Sequence, residues 1–173
     1  MKPRFGTMLA ILLCSGSVYA AEGDRVSGAL EGDGITGEIS MVETASGAVH
    51  IDVSAQGVPE GSHGIHVHEV GQCDGADNFK SAGGHLAAGL DHGIQSDGGP
   101  HPGDLPNIHA GANGAVHAEY FVRGFSLGTL GSQRILDDDG SSVVLHSGPD
   151  DYTSQPAGNS GDRIACAVLK AAE

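Results

Sequence analysis

Residues 71–112 carry neither the 3.6-residue period of an amphipathic helix nor the alternation of a strand; glycine, proline, aspartate and histidine dominate instead. A stretch of about 40 residues with so little apolar surface cannot be ordered inside a compact domain by packing alone. A metal ion or a disulfide is the organiser it requires. The segment offers candidates for both in His85, His92, His101 and Asp104, and in Cys73.

The flanking sequence is built from short strands. Arg25 to Glu31, Gly34 to Val42 and Ala48 to Ala55 are separated by Gly-Asp-Gly and Ser-Gly turn signals, and in the third Val49, Ile51 and Val53 alternate with His50, Asp52 and Ser54. Further strands are expected over Gly64 to Val70, Ala115 to Val122, Ser142 to His146 and Arg163 to Leu169, with an edge element at Phe125 to Leu130. Asp137 to Gly140 reads as an acidic turn and residues 147–162 as a second long polar loop. Seven or eight antiparallel strands with period-2 patterning predict an all-β Greek-key barrel or flattened sandwich bearing two long functional loops. A chain of 173 residues suffices for one such domain.

Six of the ten histidines bear on function. His66 and His68 are two apart on an expected strand, so both side chains leave the same face and can converge on one metal, while Ile65 and Val67 face a core. That histidine face needs no core of its own. Imidazole suits copper and zinc. In the loop, His85, His92, His101 and Asp104 offer three nitrogens and one oxygen, a set suited to tetrahedral zinc, and His101-Pro-Gly-Asp104 is tight enough to turn both its polar side chains inward. Solvated loop residues are the plain alternative. His146 completes the six. His50 and His117 occupy polar positions of alternating strands, His109 lies in a turn-rich stretch, and His63 is expected to make a local packing or hydrogen-bond contact. These four are left outside the site.

The first twenty residues combine Lys2 and Arg4, an apolar run from Met8 to Leu13, and a small-residue end at Ala20. This is the layout of a secretory signal peptide, leaving a domain over 21–173, and the run is too short to span a membrane. The bulky Leu13 before Cys14 argues against lipidation. Export leaves Cys73 and Cys166, which read as one disulfide worth on the order of 2–4 kcal/mol, with reduced or metal-bound thiols as the alternatives. The net charge of −14 argues against nucleic acid and anionic lipid as partners. Arg163, three residues before Cys166, is one of few cations and can attract a small anion to a metal site.

Taken together, His63-Gly-Ile-His66-Val-His68-Glu-Val-Gly71, Cys73, Ser81-Ala-Gly-Gly-His85, Asp91-His92-Gly93, His101-Pro-Gly-Asp104-Leu-Pro-Asn107, His146 with Asp150-Asp-Tyr152, and Gly158-Asn-Ser-Gly-Asp-Arg163-Ile-Ala-Cys166 resemble the bacterial periplasmic copper,zinc superoxide dismutases. The resemblance implies an eight-stranded Greek-key barrel and copper on His66, His68, His85 and His146. It implies zinc on His85, His92, His101 and Asp104, with His85 shared and proton-delivering. A Cys73–Cys166 disulfide, Arg163 as anion guide, and Asp150 linking a copper histidine to a zinc histidine follow on the same ground. The implied reaction converts superoxide anion to dioxygen and hydrogen peroxide in the periplasm; a non-catalytic copper/zinc-binding or buffering protein is the alternative. Monomer and homodimer fit the pattern equally.

The chain departs from the family pattern in three places. Leu86-Ala-Ala-Gly89 stands where a proline usually shapes the zinc loop, a basic residue is missing before His146, and Asp162 precedes Arg163. An altered zinc affinity or loop rigidity and weaker anion steering are the expectations.

Overall fold

In a computed structural model, residues 23–128 and 133–172 are described. The expected signal peptide, Cys14 and residues 129–130 of the expected edge element lie outside them. The strands are β1 (Arg25–Gly32), β2 (Thr36–Glu43), β3 (Val49–Gln56), β4 (Gly61–His63), β5 (Ile65–His68), β6 (Ile108–Ala110), β7 (Val116–Val122), β8 (Ser142–His146), β9 (Arg163–Val168) and β10 (Lys170–Ala171). Eight of them form one curled sheet in the order β5-β8-β9-β1-β2-β3-β7, with β10 continuing alongside β1; β4 and β6 pair separately. All pairings of the named strands are antiparallel, and the out-of-sequence neighbours β9–β1 and β3–β7 give the Greek-key connectivity.

Alternation decides which side each strand buries. Val49, Ile51, Val53 and Ala55 of β3 face the core while His50, Asp52 and Ser54 face outward, and Val26 and Leu30 of β1, Ile39 and Met41 of β2, and Leu145 of β8 close the same core. Three strands were not foreseen in the sequence, and the shortest, the two-residue β10, lies just past the strand expected over Arg163 to Leu169. In β6, Ile108 and Ala110 point inward and His109 outward, but three residues are too few for a pattern to stand out, and Gly61-Ser62 of β4 has no apolar pattern at all. Two single 3-10 turns, Gly75–Asp77 and Lys80–Ala82, also interrupt the stretch expected to lack structure. At the expected edge element, Phe125 and Leu127 are buried and Ser126 bridges to Arg134, but no strand forms over the described part.

β5 differs from the sequence reading in one consequential way: its histidine face is as buried as its apolar face. The strand pairs with β8 on one edge only. Its other edge is covered by the long loop, through Val67 N–H to Gly103 O (2.9 Å), Leu86 N–H to Val67 O (2.8 Å) and Glu69 N–H to Gly84 O (3.0 Å). The loop thereby completes the sheet where another strand would lie.

Cys73 and Cys166 form the disulfide, 93 residues apart in sequence, and tie the loop to β9. Cys166 packs with Ala82 and Val144, and Phe79 lies against them. Because the bond closes so long a loop, replacing Cys73 with alanine is expected to lower the urea midpoint of the metal-free protein by an amount equivalent to about 2–4 kcal/mol. An unchanged midpoint would remove the disulfide from the list of stabilising features.

Candidate metal centre

The covered edge of β5 assembles the site. Isolated bridges pair His66 with Asp104 and His68 with His85, so the loop residues land beside the strand histidines because the loop backbone continues the sheet. His146 enters from the end of β8, where a register irregularity at Leu145/His146 lets the strand turn while His146 still pairs with Arg163 of β9.

Four buried histidines, His66, His68, His85 and His146, converge with one nitrogen each, all within 4.8 Å of one another. The partners of the remaining nitrogens show which atom of each ring is free. His66 Nε2 bonds Asp150 Oδ2 (2.8 Å), His68 Nδ1 donates to Gly83 O (3.1 Å), and His85 Nδ1 meets Asp104 Oδ1 (3.0 Å). The opposite atoms, His66 Nδ1, His68 Nε2 and His85 Nε2, together with both ring nitrogens of His146, are buried without a hydrogen-bond partner. Buried polar atoms are nearly always satisfied, and several orphans aimed at one point mark a place that a cation completes. An all-imidazole set suits copper.

Beside it, His85, His92, His101 and Asp104 form a second convergent group. Three Nδ1 atoms crowd a single oxygen, Asp104 Oδ1, at 3.0, 3.0 and 3.1 Å from His85, His92 and His101. Asp104 Oδ2 is held separately by the N–H groups of Gly93 (2.8 Å) and His101 (3.0 Å). Three nitrogens and one oxygen fit a closed tetrahedral zinc site. The His85 ring belongs to both groups, one nitrogen to each.

A third convergence, His66, His92 and Asp150, is of a different kind. His66 Nε2 (2.8 Å) and His92 Nε2 (3.0 Å) each bond one oxygen of the fully buried Asp150 carboxylate, which leaves each ring's Nδ1 for one of the two groups above. Asp150 thus fixes the orientation of one ring in each half of the centre. Its backbone is held in turn by the Asn107 side chain, which accepts from Asp150 N–H (2.8 Å) and donates to Asp150 O (2.9 Å). Gly158 packs so close that a Cβ there would run into Asp150 Oδ1, and its φ of +65° favours glycine for a second reason.

Burial sets the charge state. It drives the His85 ring down to about 4 and the His146 ring to about 3, the neighbouring histidines adding to the shift and the Asp104 hydrogen bond opposing it at His85. His68 moves the same way, through burial first and then His85 and Arg163. Burial alone would raise the Asp104 and Asp150 carboxyls, but hydrogen bonds outweigh it, chiefly from His85 to Asp104 and from His66 to Asp150, and hold both below the carboxylate range. The rings of His68, His85 and His146 are therefore neutral at neutral pH, which leaves each an unprotonated nitrogen that can bind a metal.

A pH dependence follows for the metal-free protein. An unfolded histidine titrates near 6.5, and folded His85 and His146 titrate near 4 and 3. Between these values the unfolded chain binds more protons, so stability rises with pH across the window and is lost as pH falls from 6.5 toward 4. The urea midpoint of the metal-free protein should decline over that range, before the carboxylates titrate. A midpoint constant from pH 7 to 4 would contradict the burial of neutral rings.

Arg163 lies beside the first group. Its guanidinium donates to Phe79 O (2.6 Å) and Gly83 O (2.7 Å), the second being the carbonyl that also receives His68 Nδ1–H. Arg163, His85 and His146 line a cavity of about 570 Å³ whose remaining wall is neutral, from Ser154 to Ala157 and from Asn159 to Gly161. Burial lowers the arginine's pKa while the Asp77 carboxylate opposes the shift.

Every residue named for the site from sequence is thus brought to one place. The excluded histidines stay out of it: His63 is buried between His146 O (2.9 Å) and Pro59 O (2.8 Å), His50 pairs with Glu119 on the outer sheet face, and His109 and His117 are exposed. Sequence reasoning assigned no role to Asn107 or to the carbonyls of Phe79 and Gly83. Asn107 was visible inside a quoted motif, whereas a backbone carbonyl has no signature in residue identity. The missing proline after His85 does not free the loop, since Leu86 bonds Val67 and Gly103 N–H bonds Leu86 O (3.1 Å).

A family model described as copper/zinc superoxide dismutase matches residues 35–169. A copper-zinc superoxide dismutase of Caulobacter vibrioides is 43% identical over 142 residues, spanning 80% of this chain and 81% of that protein. One from Aquifex aeolicus is 39% identical over 138 residues, spanning 79% and 80%. The solved structure of a SOD-like protein from Bacillus subtilis matches with a TM-score of 0.78 at 37% identity, covering 87% of this chain and 100% of that one.

Proposed function

Because the chain belongs to the copper/zinc superoxide dismutase family, we propose that His66, His68, His85 and His146 hold its copper and His85, His92, His101 and Asp104 its zinc. The protein is a superoxide dismutase with copper and zinc as cofactors, and superoxide is its substrate. The observation that carries the ligand assignment is the set of buried nitrogens without partners on His66, His68, His85 and His146, together with the convergence of one nitrogen from each ring to within 4.8 Å of the others.

Copper held by the first group would supply one-electron chemistry, oxidising one superoxide and reducing a second, and zinc held by the other would supply a fixed positive charge without redox change. The protein's own residues do the rest. Arg163 draws the anion into the cavity and, held by two carbonyls, presents its charge at a constant position beside His146 and His85. His85 lines that cavity, and with its Nδ1 directed at Asp104 its Nε2 is the ring atom that can hold a proton and pass it to reduced oxygen, which takes a second proton from water and leaves as hydrogen peroxide. Asp150 keeps the His66 and His92 rings from rotating away.

Export to the periplasm is part of the same reading. The leader-like first twenty residues and the Cys73–Cys166 bond, which persists in oxidising compartments, support it. Among the described residues no helix is long and apolar enough to cross a membrane. N-terminal sequencing of protein from a periplasmic extract should begin at Ala21.

Anomalous diffraction above and below the copper and zinc edges, on protein isolated with its native metals, tests the assignment. Copper at His66/His68/His85/His146 and zinc at His85/His92/His101/Asp104 is the expected result. A copper position that stays empty or zinc-filled after copper loading would overturn it in favour of a non-catalytic metal-binding protein.

A further inference from the structure

His92 is placed by contacts from outside its own segment. It lies in a segment without strand or helix, yet it is fully buried and both its ring nitrogens are committed, Nδ1 to the Asp104 side and Nε2 to Asp150. Its backbone is held by one side chain from the opposite loop. Gln155 Oε1 accepts from His92 N–H (2.8 Å) and Gln155 Nε2 donates to His92 O (2.9 Å), so the side-chain amide pairs with the His92 backbone as a neighbouring strand would. The same Nε2 reaches Thr153 O (3.0 Å) and Ser96 Oγ (3.1 Å), and Ser96 Oγ itself donates to His92 O.

We infer that Gln155 is a positioning residue for zinc, which holds His92 in ligating position by clasping its backbone and so makes the wall of the anion cavity part of the zinc site. The inference rests on the assignment of His92 to zinc. Gln155 is itself anchored: Thr153 and Ser154 N–H both bond Asp151 Oδ1 (3.0 and 2.8 Å), and Gly158 N–H bonds Ser154 O (2.7 Å). One short stretch of loop therefore grips His92 at both ends, the ring through Asp150 and the backbone through Gln155. Gly93, the next residue, has φ +90° and lies against Tyr152 O with no room for a Cβ, so the two loops are in direct backbone contact there. Residues 154–157, with Gln155 among them, also wall the cavity in front of His85, His146 and Arg163. Loss of the clasp is transmitted to zinc through the freedom gained by His92, since Gln155 touches no ligand atom.

Hydrogen-bond partners one step removed from a metal typically alter its affinity by about 10–100-fold, and most such changes appear in the release rate. Gln155 is exposed, so the low end applies. In the holoprotein, Gln155→Met keeps the length of the side chain and deletes its polar atoms. Zinc capture by a chromogenic chelator should then be about tenfold faster, and the His92 amide should lose its protection from hydrogen exchange. Gln155→Glu keeps the acceptor for His92 N–H but sets a carboxylate oxygen against His92 O. It should retain the amide protection and still release zinc faster than wild type, and it serves equally if the methionine variant does not fold. Gln95→Met, at an exposed residue whose side chain is hydrogen-bonded to Thr153 Oγ1 (3.3 Å) rather than to the His92 backbone, should behave as wild type. Wild-type zinc release from the Gln155 variants overturns the role of Gln155 alone. A wild-type holoprotein that keeps no zinc at His92 overturns both this role and the ligand assignment beneath it.

Discussion

Arg163→Gln should slow superoxide disproportionation by about 10–100-fold at low ionic strength, flatten the dependence of the rate on salt, and leave copper content unchanged. The size of the effect follows from the charge distribution. With 8 Lys and Arg against 22 Asp and Glu, the protein repels an anion at long range, and the wall of the cavity beyond Arg163 is neutral. At physiological salt the Debye length of about 8 Å screens distant carboxylates, so capture depends on the cationic groups within the cavity. Asp162, expected from sequence to weaken that attraction, is exposed and spends its N–H on Ser147 Oγ (2.9 Å). The Asp77 carboxylate, on the first 3-10 turn, also acts on the guanidinium and raises its pKa against burial. Arg163→Lys should recover only part of the loss, since one ammonium on a flexible stem cannot bond Phe79 O and Gly83 O as the guanidinium fork does. Rate constants from pulse radiolysis across a salt series give the measurement. Equal rates for wild type and Arg163→Gln would mean that the bound metals alone attract the anion.

Much of this arrangement is legible in the sequence because two strong periodicities meet in it. The alternation of β3 and β5 announces strands by residue identity, and His66 and His68 inherit a common face from it. His85, His92, His101 and Asp104 are legible for the opposite reason: a polar stretch with no apolar pattern needs an organiser, and its histidines, aspartates and Cys73 are the candidates it contains. What escaped is what depends on backbone placement. β4 and β6 are held by mutual pairing rather than by an apolar pattern, and the histidine face of β5 is buried because residues 84–86 and 103–104 dock on its free edge, a long-range event with no local signal. The carbonyls that fix Arg163 belong to Phe79 and Gly83, where neither side chain suggests the role. The Gln155 clasp lies in a loop that reads only as polar.

Asp150→Asn is expected to weaken both metals at once, each by about 10–100-fold, although Asp150 ligates neither in the proposed arrangement. Each carboxylate oxygen serves one ring, Oδ2 accepting from His66 Nε2–H and Oδ1 from His92 Nε2–H, with Tyr152 N–H also on Oδ1 (2.6 Å). An amide has one acceptor. Its NH₂ group would face an N–H on one side whichever way it is turned, so one buried imidazole must lose its partner or switch tautomer, and a switch moves the proton onto the nitrogen meant for the metal. Leaving that donor unsatisfied costs about 1–3 kcal/mol, and rotation of the ring to escape the cost removes a ligand. If the amide turns to satisfy His66, zinc suffers first through His92; if it satisfies His92, copper suffers through His66. The His85 ring, shared by both groups, would transmit either loss to the other half. Competition titrations with copper and zinc chelators should therefore show both affinities reduced in Asp150→Asn and reduced further in Asp150→Ala, where neither ring keeps a partner. Loss confined to one metal in both variants would show that the halves of the centre are oriented independently, and that the carboxylate shared by His66 and His92 couples nothing.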